Sequence, residues 1–157
     1  HFLTECGFCT FDFLLDFGSF RDIHRHRNGV CRMPLLTTRF GFHDWYLEQL
    51  PPTLARAARA LIREQKTAIA SLKAPPELTQ YYIAMGFTVS CRVSYGLPAT
   101  VYVTELRSGK MVHPTLRRVA RQMDKFLRRK FPVLVLHSDL DPDDWDVRRG
   151  KQDIREK

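Results

Sequence analysis

Two proline pairs set the frame of this chain. Pro51-Pro52 and Pro75-Pro76 stand at either end of a long stretch of mixed apolar and basic residues. Proline has no amide proton and a fixed φ, so it opens a helix readily and does not sit inside one. Between the pairs Leu54, Ala57, Ala58, Leu61, Ile62, Ala68, Ile69 and Leu72 recur at helical spacing. Arg56, Arg59, Arg63 and Lys66 fall on the other side. The pattern predicts an amphipathic helix whose basic face is solvated. Pro114 opens a second such helix, with Leu116, Val119, Ala120, Met123, Phe126 and Leu127 on the apolar stripe. Arg117, Arg118, Arg121, Lys125, Arg128 and Arg129 make up its opposite face.

Elsewhere the periodicity changes. Residues 4–27 carry Phe8, Phe11, Leu14, Leu15, Phe20 and Ile23 at spacings that fit a helix, interrupted by Gly18 and stopped by Asn28-Gly29. Residues 30–41, with Pro34, read as an ordered loop, and 42–50 as a short helix beginning near Asp44. Phe87, Val89, Cys91 and Val93 alternate with polar residues, the mark of a half-buried strand. Residues 97–107 fit a helix started by Pro98 or a strand rich in Val and Thr. Residues 133–136 read as a last strand. The expected fold is α+β, a helix-dominated domain over residues 1–138 with a small antiparallel or mixed sheet, followed by a polar charged tail over 139–157.

The chain has 157 residues, the size of one ordinary domain, and 44% hydrophobic with 27% charged residues suits a globular protein. No apolar run is long enough to span a bilayer and no N-terminal signal pattern is present, so a cytoplasmic setting and no membrane partner are expected. His1 at the first position suggests a piece of a longer protein or a processed product. Cys6 and Cys9 form a C-x-x-C with no second pair to complete a metal site, and buried thiols are the simpler expectation. Asp139, Asp141, Asp143 and Asp144 lack the glycine and terminal glutamate of a calcium loop, so no metal is expected there either.

A net charge of +8 calls for an anionic partner. The charge is densest between Ser19 and Arg27, where Arg21, His24, Arg25, His26 and Arg27 crowd into one short segment. Like charges this close repel unless an anion or carboxylate lies opposite. Complementing a helix dipole explains one or two of them, not the whole group. Phosphate suits the cluster, because guanidinium offers a flat fork of donors and imidazole can give or accept. The plain alternative for His24 is that it points away from any site.

Arg25-His26-Arg27 at the end of an apolar segment resembles the signature of flavin-dependent thymidylate synthases. Glu105-Leu106-Arg107-Ser108, followed by His113-Pro114 and Arg117-Arg118-Val119-Ala120, is similar to that family's second conserved region. A divergent branch is closer still, with F-R-D-x-x-R-H-R-x-G-V-x-R-M-P-L-L and E-L-R-S with H-P soon after. The resemblance runs from about Phe11 to Phe131. It implies a thymidylate synthase-complementing-protein-like fold and a homo-oligomer binding FAD between subunits. The implied reaction converts dUMP to dTMP with methylenetetrahydrofolate as carbon donor and NADPH as reductant. It further implies that Arg25, His26, Arg27 and His113 contact FAD. Arg107 would be the catalytic group facing the uracil of dUMP, and Arg39 a second substrate contact.

The chain departs from that pattern at several positions. Val30, Arg32-Met33, Leu35 and Thr37 stand where the family carries Ser, Asn-Glu, Ser and Arg. Gly96 and Pro98 fall near an expected Asn and Arg, and Gln80 near an expected Arg. Partners in a longer chain would have to supply such groups. A catalytically silent domain kept for assembly or nucleotide binding therefore stays open. A nucleic-acid-binding module is the third alternative, disfavoured because the basic faces carry no interleaved aromatic residues for stacking. His113 could equally be a helix-start residue, and Arg107 a partner of Glu105 or Asp124.

Overall fold

In the computed structural model, which describes residues 7–141, the order is β1 (Phe8–Asp16), α1 (Phe17–Ile23), β2 (Gly29–Arg32), α2 (Asp44–Glu48), α3 (Pro52–Ala70), α4 (Pro76–Thr79), a 3-10 turn at Gln80–Tyr82, β3 (Thr88–Gly96), α5 (Leu97–Ser108) and α6 (Pro114–Lys130). The architecture is α+β, with one three-stranded antiparallel sheet in the order β1-β3-β2. Residues 10–95 form one compact unit. The described residues from Gly96 onward, with those up to Cys9, form the other.

The helix expected over residues 4–27 is instead a strand followed by a short helix. Along β1, Phe8, Thr10, Asp12 and Leu14 are exposed, Cys9, Phe11 and Phe13 partly covered, and Leu15 and Asp16 buried. That alternation is a pleated strand with one face inward. Its aromatic residues favour the pleat, and the spacing from Phe11 to Leu15 satisfies both periods, which is why helical spacing misled. The helix begins only where a cap exists. Asp16 is the N-cap of α1, its Oδ2 accepting the Ser19 amide at 2.9 Å.

Part of the expected loop 30–41 is also a strand. β2 pairs antiparallel with β3 in the register Gly29 with Tyr95, Cys31 with Val93, and Arg32 with Arg92. A Cβ at Gly29 would collide with the Tyr95 ring and the Ser94 carbonyl, so the close strand approach requires glycine there. Beneath the sheet Leu15, Ile23, Phe87, Val89, Cys91, Val93 and Tyr95 are buried. The Phe17 amide donates to the Phe87 carbonyl at 3.0 Å and the Gly18 amide to the Met85 carbonyl at 2.9 Å, fixing the start of α1. Phe42 stands edge-on to Phe87, with ring centroids 5.4 Å apart. A Cβ on Gly86 would enter the Phe42 ring.

α2 forms where expected, and α3 opens on its proline pair as expected. No α3 residue is buried, and Leu54 and Leu61 are 56% and 57% exposed. Its stripe contributes correspondingly little burial within this unit.

In the second unit the ambiguity over 97–107 resolves to helix, with Pro98 in the first turn of α5. Thr100, Val103 and Thr104 are buried together, a helical grouping rather than an alternating one. Leu116, Val119, Ala120, Met123 and Leu127 of α6 are buried as expected. Leu97, Leu127 and Leu136 cluster, with Val101, Phe126, Phe131 and Leu134 around them. Burying one such leucine is worth roughly 1.5–3 kcal/mol. Arg117, expected on the solvated face, is 2% exposed. Its Nε donates to the Ser108 carbonyl at 2.9 Å, and an Nη to the Asp141 carbonyl at 3.0 Å. Residues 133–136 are no strand: Val133 is 90% exposed, and the Leu134 amide closes a turn on Phe131 at 3.0 Å. Of the tail expected over 139–157, Asp139 lies 3.5 Å from the Arg117 guanidinium, and Asp141 also accepts from Arg121. The rest, with Asp143, Asp144 and Cys6, lies outside the described residues. No helix among the described residues is long and apolar enough to cross a membrane.

Candidate anion-binding site

α1 is short, and its last turn delivers a charged group at each exposed step. Arg21 lies in that turn, His24 is the C-cap, and Arg25 follows. β2 then returns the chain antiparallel to β3 and brings Cys31 and Arg32 alongside. Between these segments opens a cleft of about 730 Å³, lined by Phe17, Phe20, Arg21, His24, Arg25, Cys31, Arg32 and Met33. Its size is that of an ordinary small-molecule site. The aromatic rings, the Cys31 thiol and Met33 give it apolar and soft surface, and three guanidinium groups and an imidazole give it donors.

The individual groups are held in different ways. The His24 ring stacks on Phe20 at 5.5 Å between centroids, so the imidazole is fixed over the cleft. His24 thus lines the cleft, against the alternative in which it points away. Arg21 reaches the Met85 sulfur at 3.5 Å. Arg25 lies 3.5 Å from Asp22, with 62% of its side chain exposed, so solvent screens the pair and leaves it weak. Among the described residues no ion pair involving Arg21 or Arg32 is formed.

Beneath α1 sits a buried carboxylate. Asp16 is fully buried; its Oδ2 accepts from the Ser19 amide and from the Tyr46 hydroxyl, each at 2.9 Å. Burial, with the Asp16 charge second, pushes the Tyr46 hydroxyl well above its ordinary range. The same burial acts on the thiols. Cys31 is pushed up to about 11 by desolvation. Cys91 rises to about 12 by desolvation first, then by the nearby Cys31 and Asp16. Both are thiols at neutral pH, and neither is an activated nucleophile.

The sequence-predicted residues do not all meet here. Arg25 lines the cleft. His26, whose amide bonds the Ile23 carbonyl at 3.1 Å, and the exposed Arg27 follow at the same helix tip but do not line it. Arg39 is exposed in the following loop, its guanidinium 5.5 Å above the Phe40 ring. Arg107, on the last turn of α5, and His113 belong to the other unit. His113 is the N-cap residue of α6, its Nδ1 2.8 Å from the Thr115 hydroxyl, which matches the helix-start alternative. The acids expected to pair with Arg107 have other partners: Asp124 accepts from Arg128 at 2.8 Å and Glu105 from the His137 amide at 2.8 Å. Arg21 and His24 belong to the basic run that the sequence marks as a ligand site, though not among its named site residues; Arg32 needed the strand that the loop expectation hid. Among the described residues no group of three or more His, Cys, Asp or Glu side chains is placed to hold a metal ion.

No family model matches the chain. It is similar to a UPF0159 protein of Chlamydia pneumoniae, 28% identical over 155 residues, and to a UPF0159 protein of Chlamydia muridarum (strain MoPn / Nigg), 29% identical over 156 residues. Each alignment takes in 98% of this chain and 29% of the relative. The chain thus spans less than a third of the length of the curated relatives it matches.

Proposed function

We propose that this chain is a nucleotide- and flavin-binding domain of the flavin-dependent thymidylate synthase type, serving the reductive methylation of dUMP to dTMP with methylenetetrahydrofolate and NADPH. The observation that carries the reading is the cleft of about 730 Å³ at the tip of α1. A phosphorylated planar ring needs guanidinium donors for its charge and apolar surface for its face. Arg21, Arg25 and Arg32 offer the first; Phe17, Phe20 and Met33 offer the second. The donor set therefore fits a flavin nucleotide. The two ordered motifs around Arg25-His26-Arg27 and Glu105–Ser108 support the same reading.

A bound flavin would relay to the reaction the electrons that NADPH supplies. The chain's own part is grip and electrostatics. Arg21 and Arg25 would hold phosphate oxygens, while the stacked His24 ring presents a nitrogen at the rim. By resemblance Arg107 would face the uracil and stabilise charge that develops on it. With the Cys31 and Cys91 thiols held neutral, neither of the two is asked to attack the ring. Subunits of a homo-oligomer, or further segments of a longer chain, would supply the groups missing at Val30, Leu35 and Thr37.

A second reading, a silent domain that binds the nucleotide without turnover, is favoured by one observation. Val30 and Leu35, replacing polar residues of the family pattern, are 51% and 43% exposed apolar side chains. Thermal shifts separate the readings. The enzyme reading expects FAD and dUMP each to raise the Tm, at 100-fold excess over Kd by an amount equivalent to about 2.7 kcal/mol. A shift with FAD alone supports the silent domain. No shift with either ligand overturns both.

A further inference from the structure

α3 is the longest helix among the described residues, and the fold buries none of it. Helices of folded proteins owe most of their stability to an apolar face packed against something else. Along α3 that face runs through Leu54, Ala58, Leu61, Ile62 and Ile69. It borders a groove of about 430 Å³, which Leu61 and Ile62 line together with Phe42, Leu47, Leu50 and Phe87 of the same compact unit. The groove shares no lining residue with the cleft at the tip of α1. Leu54, one turn before Ala58, continues the stripe and is 56% exposed. A contiguous apolar face of this kind marks a place where another element packs. The charges beside it are one-sided. At 3.6 residues per turn, Arg59, Arg63 and Lys66 fall along one flank of the stripe, with Arg56 behind them. The other flank carries Ala57, Glu64 and Ala68. Among the described residues none of the four cations has an ion-pair partner.

We propose that α3 and the groove beside it dock an amphipathic helix of a partner protein, apolar on one side and acidic along the edge that meets Arg59, Arg63 and Lys66. The partner's large apolar side chains, one helical turn apart, enter the groove between Leu50 and Leu61. Its carboxylates lie beside the basic flank, which sets the orientation of the pair and speeds encounter more than it adds affinity. The charge pattern and the shape argue against two other occupants. A second α3 packed antiparallel would set basic flank against basic flank, and Glu64, on the far flank, cannot compensate. A lipid surface takes up a convex apolar face, whereas Leu47 and Phe87 are recessed in a groove, 6% and 2% exposed, within reach of side chains only.

The test uses a fluorescent synthetic helical peptide of about 20 residues, long enough to run beside α3. It carries leucines at i, i+3, i+4 and i+7 spacing and glutamates along one flank; a twin has lysine in place of each glutamate. Fluorescence anisotropy measures the binding of both to the full chain and to the double variant Arg59→Glu/Lys66→Glu. The unaltered chain is expected to bind the glutamate peptide saturably and at least roughly ten-fold tighter than its twin, the combined effect of several screened ion pairs. The double variant should reverse that preference, and a gain of binding by the lysine twin cannot come from a failure to fold. Leu61→Asp, at a position 57% exposed, should abolish binding of the glutamate peptide with the circular dichroism of the chain unchanged. Equal affinity for the two peptides, a preference unchanged in the double variant, or no saturable binding of either overturns the proposal. Sedimentation with phosphatidylserine vesicles, or self-association of the chain, that is lost in Leu61→Asp also overturns it, and gives the face to a lipid surface or to a second copy.

Discussion

Asp16 links the fold of this chain to its candidate site. A buried carboxylate is costly unless it is hydrogen-bonded, and here Oδ2 is engaged twice, by the Ser19 amide and the Tyr46 hydroxyl, while the buried Oδ1 has no hydrogen-bond partner among the described residues. Asp16→Ala removes the cap of α1, worth about 1 kcal/mol, and strands a hydroxyl, worth about 1–3 kcal/mol. Urea unfolding should show a loss of roughly 2–4 kcal/mol, most of it regained in Asp16→Asn, which keeps an acceptor; an unchanged midpoint for Asp16→Ala would contradict this account. The thiols give a pH prediction. Cys31 and Cys91 have folded values raised above the ordinary 9.0, so their contribution to stability is complete below that pH. As pH rises from 9 toward about 11–12 the unfolded chain loses these protons first, and stability falls. At neutral pH alkylation of Cys31 should be slow although it lines a cleft, and fast alkylation would show a lowered rather than a raised value. Asp16 was not legible as a site residue in the sequence, whereas His24 stood within the basic run. A cap is visible only once the helix start is known, and the helical spacing through Phe11 and Leu15 hid that start.

At the level of elements, sequence patterns succeeded where the chain itself punctuates. Proline marks α3, α5 and α6 in their first turns, and each helix begins there. Patterns failed where two periods coincide, as in β1, or where partners are needed to make a strand. Residues 133–136, Val-Leu-Val-Leu, are a short apolar run that pairs with no strand among the described residues, and Val133 and Val135 stay exposed. Arg117 was misplaced for a related reason, since its partners Ser108, Asp139 and Asp141 come from both sides of α6 in sequence and no helical wheel shows them. Its fork ties α6 to the end of α5 and to the segment beyond Leu136. Arg117→Lys keeps the charge but cannot span these acceptors, and should lower stability by roughly 2–4 kcal/mol. The neighbouring exposed position provides the contrast: Arg118→Lys should change stability by no more than about 0.5 kcal/mol. Equal effects of the two substitutions would show that the buried fork does not act as described.

On the scale of the whole molecule, the net charge of +8 led to the expectation of an anionic ligand, and the basic cleft proposed to meet it is local in sequence. The cleft at the tip of α1 is built from residues 17–33, so its basic character could be read directly from the run that begins at Arg21. What could not be read was which cations converge, because that depends on β2 folding back along β3. His26 and Arg27, central to the motif, lie off the cleft, while Arg32 lines it. The most direct measurement is a fluorescence titration of FMN with the full chain, Arg25→Ala and Arg27→Ala. The account predicts saturable quenching by the full chain, an affinity roughly ten-fold weaker for Arg25→Ala, and a smaller loss for Arg27→Ala. Absence of saturable quenching, or an Arg25→Ala affinity equal to that of the unaltered chain, would contradict it.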